Sequence, residues 1–311
     1  MSTAFYSHSD CRLHDMGRGH PECPQRLDAI ADHLLATGLD VALNHKDAPL
    51  ATLDQLERAH SAGYVLQLKD VLEQVRDAGV SKALDPDTMA CPGTWHAALR
   101  AAGAAVAATD DVIGGRARNA FCAVRPPGHH ATRDETMGFC FFNNVAVAAR
   151  HALDVHGLER VAIIDFDVHH GNGTEDIIAG DERVLMCSFF QHPLYPYSGA
   201  VPKGTNMVNV PVAPYTRGGE LRETIDAMWM PRLDEFRPQM VFISAGFDAH
   251  REDDLGQLGL VEADYEWITR RLVALAERHA QGRIVSCLEG GYSLSALARS
   301  VAAHVRVLAD S

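Results

Sequence analysis

The chain has 311 residues, 47% of them hydrophobic, and a formal charge of −13 from 28 basic and 41 acidic side chains. That balance disfavours a nucleic-acid binder built on phosphate contacts, and the aliphatic content argues against disorder. No apolar run reaches the roughly 18–20 residues of a membrane helix, so neither nucleic acid nor membrane is expected as a partner. The opening MSTAFYSHSDCRLH has no basic stretch followed by an apolar one, as a secretory signal would. The seven cysteines are scattered and never spaced C-x-x-C, which fits reduced thiols in a cytoplasmic protein.

In chain order, helical patterns fall at 25–36, 61–77 and 94–109, followed by a strand at 120–124 (AFCAV). A helix at 143–156 and strands at 161–165 (VAIID) and 184–188 (VLMCS) come next. The segment 189–219, rich in Pro, Gly, Tyr and Asn, reads as a long functional loop with little regular structure. The pattern resumes with a helix at 218–235, a strand at 240–244 (MVFIS), a helix at 262–280 and a strand at 284–288 (IVSCL). A last helix at 293–309 starts with Ser293 as N-cap, after the turn formed by Gly290 and Gly291. The strands are almost continuously apolar, as in a parallel sheet buried on both faces. Strands alternating with helices over residues 1–311 predict a single doubly wound α/β domain.

The unusual polar residues stand just after predicted strands: RPPGHH after AFCAV, FDVHHGNG after VAIID, AGFDAH after MVFIS and EGGY after IVSCL. Ligands of open parallel sheets bind at the carboxyl ends of the strands. Four loops are therefore expected to meet at one rim.

Leaving its strand, the chain places Asp165, Asp167 and His169 on one side if the backbone stays extended. Asp167 and His169 with Asp248 make the donor set of a catalytic zinc site with an open position. Iron(II) or cobalt(II) suits the same donors. Asp165 fits a supporting role, orienting a histidine or holding a monovalent cation. The stiff Pro-Pro-Gly turn before His129 and His130 offers two imidazoles for proton transfer. Asp165 and Asn172 are suitable partners for their second nitrogens. Tyr292 can donate its hydroxyl to a developing oxyanion. Phe139 can wall a narrow channel opposite Tyr195, while Phe141 and Phe142 suit the core. No G-x-S-x-G, G-x-G-x-x-G or G-x-x-x-x-G-K-[ST] occurs, which leaves serine-hydrolase, dinucleotide and P-loop readings without support.

The ordered motifs RPPGHHA, GFCFFNN, DFDVHHGNGT, AGFDAH and LEGGY, with HPECPQRL near the start, resemble the histone deacetylase superfamily over about residues 5–305. The DVHHGNGT run, with Asn172, is closer to class II and bacterial deacetylase-like amidohydrolases. The resemblance implies the arginase/deacetylase fold, a single domain with a central eight-stranded parallel sheet flanked by helices. It implies Asp167, His169 and Asp248 as zinc ligands, His130 as general base and acid, His129 as an electrostatic partner, and Tyr292 as the oxyanion donor. Asp165 with Ser188 and the carbonyls of Asp167, His169 and Phe189 would hold a structural potassium. Phe139 and Tyr195 would wall an acyl-lysine tunnel, the Gly138 carbonyl would accept the substrate amide N–H, and Arg26 would stand near an exit channel. Where polyamine-selective relatives carry a gatekeeping Glu, this chain has Leu255, although Asp253 and Asp254 could attract a cationic substrate. The activity so implied is hydrolysis of N-acetyl-lysine in peptides, or of a small acetylated amine. Acetylpolyamine amidohydrolysis, an arginase-type manganese hydrolase and a non-catalytic acyl-lysine-binding module are the competing readings. Nothing in the sequence fixes the oligomeric state, and a homo-oligomer stays open.

Overall fold

The structure, a computed structural model, describes residues 2–311. Its elements follow in order as β1 (Thr3–Ser7), α1 (Gln25–Ala36), β2 (Leu43–Asp47), α2 (Leu53–Leu56) and α3 (Ala62–Ala78). The short strands β3 (Lys82–Ala83) and β4 (Met89–Ala90) precede α4 (Thr94–Ile113), β5 (Ala120–Cys122) and α5 (Asn144–Asp154). The remainder comprises β6 (Val161–Asp165), α6 (Asn172–Ile178), β7 (Val184–Gln191), β8 (Met207–Val212), α7 (Gly218–Phe236), β9 (Val241–Ala245), α8 (Glu262–His279), β10 (Ile284–Leu288) and α9 (Leu294–Ala309).

Eight strands form one sheet in the order β2-β1-β5-β10-β9-β6-β7-β8, and every neighbouring pair is parallel. All their carboxyl ends therefore lie along one edge. The five apolar runs read as strands are all present, and β6, β7, β9 and β10 are buried along their whole length. Helices α7, α8, α9 and α1 pack in one row and α3, α4, α5 and α6 in another, so the sheet is covered as its composition requires. Among the described residues, no helix is long and apolar enough to cross a membrane.

Two expectations need correction. Segment 189–219 is not one loop: residues 189–191 finish β7, and Met207–Val212 forms the edge strand β8. The polar residues and Pro211 that hide β8 are tolerated because an edge strand has one unpaired side. The other edge strand, β2, is hidden in the same way by alternating burial in the polar run LNHKD. Ser293 does precede α9, but its side chain makes no capping bond; its N–H is bound by the Asp253 carboxylate instead.

A buried ion cluster ties the N-terminal loop to the end of β5. Arg125 grips Glu22 with two nitrogens, one of them 2.6 Å from Oε2. It also donates to the carbonyls of Cys11 and His14, and Arg26 Nη1 reaches Glu22 Oε1 at 3.1 Å. Burial would raise the Glu22 carboxyl, but Arg125 and Arg26 hold it down to about 2. Its stabilising contribution is thus complete above the ordinary carboxylate range and is lost as pH falls towards 2. Glu22→Ala strands two guanidinium groups and should cost about 3–5 kcal/mol, measured as the change in unfolding free energy in urea.

Candidate active site

Five adjacent strands, β5, β10, β9, β6 and β7, deliver the polar residues to the carboxyl edge, one more than the sequence suggested. The central piece is the loop after β6. It is not extended beyond Asp165 but bends through residues 167–169. The acids themselves support the bends: Asp165 Oδ1 accepts the Asp167 N–H at 3.1 Å, and Asp167 Oδ1 accepts the His169 N–H at 2.9 Å. Short acidic side chains stabilise turns in this way. The same residues that shape the loop also face its centre.

Asp167, His169 and Asp248 converge there, all three buried, with donor atoms within 4.8 Å of one another. His169 Nδ1 lies 3.0 Å from Asp167 Oδ1 and 3.1 Å from Asp248 Oδ2. Asp167 Oδ2 accepts the Gly290 N–H at 2.9 Å, and Asp248 Oδ1 accepts the Val168 N–H at 2.9 Å. Gly290 is required here, since a Cβ would stand 2.1 Å from Asp248 Oδ2. Burial and the Asp167 charge push the Asp248 carboxyl up to about 7. Against the opposing effect of burial, hydrogen bonds to Asp167 and Asp248 push His169 up to about 10. Two buried carboxylates thus compete for the single positive charge an imidazolium can offer. A divalent cation between the same three donors satisfies that field better, and the donor types suit zinc.

His129 and His130 stand beside this cluster, their ring centroids 4.1 Å apart. His129 Nδ1 lies 3.0 Å from Asp165 Oδ2, and His130 Nδ1 lies 2.7 Å from Asn172 Oδ1, the two partners expected. Their environments push the rings apart. Burial opposes charge on His129, yet Asp167 and Asp165 hold its pKa well above the ordinary value. Burial and the neighbouring His129 and His169 hold His130 well below it. Paired groups driven in opposite directions mark an acid/base division of labour. With Nδ1–H donating to Asn172, the free lone pair of His130 is on Nε2.

A cavity of about 270 Å³ opens onto these groups, lined by His130, His169 and Tyr292 at its inner end. Phe139, Leu194, Tyr195 and Leu255 are among its other lining residues. Phe139 adopts φ +69°, a strained conformation for a non-glycine residue. Its N–H donates to Thr88 Oγ1 at 3.0 Å, and its ring meets Tyr292 edge-on at 6.0 Å. Gly138 must be glycine, since its φ is +55° and a Cβ would stand 2.3 Å from the His130 ring. Burial holds the Tyr292 hydroxyl well above its ordinary pKa, so it remains a donor.

Arg26, expected beside an exit channel, is fully buried beneath the tyrosine. Its guanidinium is 5.1 Å from the Tyr292 ring centroid, and Nε donates to the Gly291 carbonyl at 2.7 Å. Asp253 does not face solvent to attract a cation: its carboxylate is buried and accepts the N–H groups of Tyr292 at 2.6 Å and Leu255 at 3.1 Å. Asp254 is exposed. Ser188 stands opposite Asp165 in the β6/β7 register, and its buried Oγ has no hydrogen-bond partner. Phe141 and Phe142 are core residues, as expected.

Sequence reasoning missed Glu289 and Asp87. Glu289 Oε2 accepts the N–H groups of Gly128 at 2.6 Å and His129 at 3.1 Å, which fixes the histidine turn. An acid closing an apolar strand was the available signal. Asp87 lines the cavity from the β3/β4 turn, and nothing local in Asp85-Pro86-Asp87 indicates that reach.

The geometry defines an all-parallel α/β domain with a metal-type donor cluster and a histidine pair at the strand ends. A model of the histone deacetylase domain matches residues 20–308, and the chain belongs to the histone deacetylase family. It is 39% identical over 282 residues to a histone deacetylase-like amidohydrolase of Pseudomonas aeruginosa, covering 88% of this chain and 73% of that protein. It is 37% identical over 302 residues to a probable deacetylase of Archaeoglobus fulgidus, covering 94% and 82% respectively. With the mouse polyamine deacetylase HDAC10 it shares 36% identity over 326 residues, 99% of this chain and 48% of that protein. The crystal structure of the HDA15 HD domain superposes with a TM-score of 0.92 at 33% identity, covering 100% of this chain and 88% of that one. The family is one of enzymes that hydrolyse amides.

Proposed function

We propose that this chain is a zinc-dependent deacetylase acting on N-acetyl-lysine side chains or a closely related acetylated amine. The observation that carries this reading is the single cavity lined together by His130, His169, Phe139, Tyr195 and Tyr292. Asp167, His169 and Asp248 would hold the zinc, which supplies Lewis acidity towards the scissile carbonyl and activates water. Aromatic walls accommodate a slender alkyl stem, and the Gly138 carbonyl accepts the substrate amide N–H. Tyr292 donates its hydroxyl to the carbonyl oxygen as negative charge develops. His130 Nε2 removes a proton from the attacking water and returns it to the departing amine. His129, its Nδ1 oriented by Asp165, contributes electrostatically beside it. The orphan Ser188 hydroxyl facing Asp165 suits a potassium ion, with the backbone at Phe189 alongside.

Leu255 presents an apolar side chain to the cavity, which favours acetyl-lysine over acetylated polyamines. Asp87, lining the same cavity, is the feature that favours a polycation. Zinc-loaded protein should turn over acetyl-lysine peptides faster than acetylspermidine or acetylputrescine. The reverse order assigns the polyamine activity, and tight hydroxamate binding without turnover of any acyl-amine assigns a binding module. Tyr292→Phe should lower kcat on the preferred substrate by about 10²–10³-fold, and an unchanged kcat removes Tyr292 from the mechanism.

The base must be neutral to act, so a depressed His130 pKa places the acid limb of kcat/KM below the ordinary histidine range. Asn172→Asp puts a carboxylate against Nδ1 and favours the protonated ring. The acid limb should move to higher pH, read directly from the pH–rate profile.

A further inference from the structure

We infer that the chain has a second transition-metal site, formed by Asp110, His151 and His156 at the opposite edge of the sheet from the cavity. His151 Nε2 lies 2.8 Å and His156 Nε2 lies 2.6 Å from the same oxygen, Asp110 Oδ1. The three donor atoms fall within 4.8 Å of one another. This is the only other such grouping of three His, Cys, Asp or Glu side chains among the described residues.

The placement follows from the topology. Helix α4 leads into the start of β5, and α5 leads into the start of β6, so their last turns lie at the amino ends of the strands. Asp110 is in the last turn of α4, His151 in the last turn of α5, and His156 just beyond it. Helix α5 has 11 residues and separates the two ends by about 16 Å. No residue of this cluster lines the cavity.

The donors are ready for an ion. His151 is buried where α5 packs against α4, with Nε2 aimed at Asp110. Asp110 and His156 have side-chain exposures of 38% and 24%, which leaves an approach from solvent. Tetrahedral zinc with bonds near 2.0–2.1 Å separates its donors by about 3.3 Å. Moving His151 Nε2 and His156 Nε2 about 0.5–0.7 Å away from Asp110 Oδ1 reaches that separation. Two imidazoles and one carboxylate select borderline ions such as zinc, cobalt(II) or nickel(II) over calcium or magnesium. Arg58 places positive charge near His151 and makes this site weaker than the Asp167–His169–Asp248 cluster. One or two waters complete the coordination.

Cobalt(II) alone is the probe. Wild type, His156→Ala and Asp110→Asn are titrated with it, and bound metal per chain is counted alongside the visible absorption of the ion. Each variant should bind one equivalent fewer than wild type, with hydrolysis of acetylated substrate unchanged. Equal metal content in wild type and both variants overturns the site. Because the cavity cluster is untouched, this outcome is independent of the deacetylase reading.

Discussion

His130→Ala is expected to lower kcat for acetyl-lysine hydrolysis by about 10²–10⁴-fold, with a much smaller effect on KM. The ring is buried beside the metal-type cluster, and its Nδ1 is engaged by Asn172. That leaves Nε2 as the proton acceptor on the cavity side. No other neutral base lines the inner end of the cavity: His169 belongs to the donor cluster and Tyr292 stays protonated. The alanine variant keeps the hydrogen bonds that the Gly128 and His129 N–H groups donate to the Glu289 carboxylate, so the turn should survive. Steady-state kinetics on an acetyl-lysine peptide give the answer. A kcat within a few-fold of wild type would assign proton transfer to another group.

Asp248→Asn is expected to cost more than about 10³-fold in kcat/KM, because a lost Lewis acid forfeits several kcal/mol of transition-state stabilisation. The amide oxygen can still accept the Val168 N–H that Asp248 Oδ1 accepts now at 2.9 Å. The fold is therefore retained while one anionic donor is lost. Metal content and kcat/KM should fall together. A variant that loses the ion but keeps its rate would separate metal binding from catalysis.

Both predictions concern residues legible in the sequence, and the reason is local. β6 is an apolar run ending in Asp165 and β9 a largely apolar run with Asp248 three residues beyond its end, and a parallel sheet brings such ends to one edge. The histidine partners Asp165 and Asn172 were legible because they share a loop with the donors. β8 was hidden, since an edge strand tolerates Pro211 and alternating polarity. Asp253 resembled a surface charge because nothing in Glu252-Asp253-Asp254 distinguishes the acid that turns inward to bind the N–H of Tyr292. The Asp110–His151–His156 cluster was equally invisible: its histidines lie 41 and 46 residues from the aspartate, and only packing of α4 on α5 joins them. Short-range order in a chain is readable, whereas pairings across helices require the packed molecule.

The most direct measurement is turnover of an acetyl-lysine peptide by chelator-treated protein as zinc is added back. Wild type should be inactive after chelation and regain its rate with zinc, while Asp248→Asn should remain inactive at the same zinc concentrations. Full turnover by wild type stripped of metal would contradict a mechanism built on Asp167, His169 and Asp248.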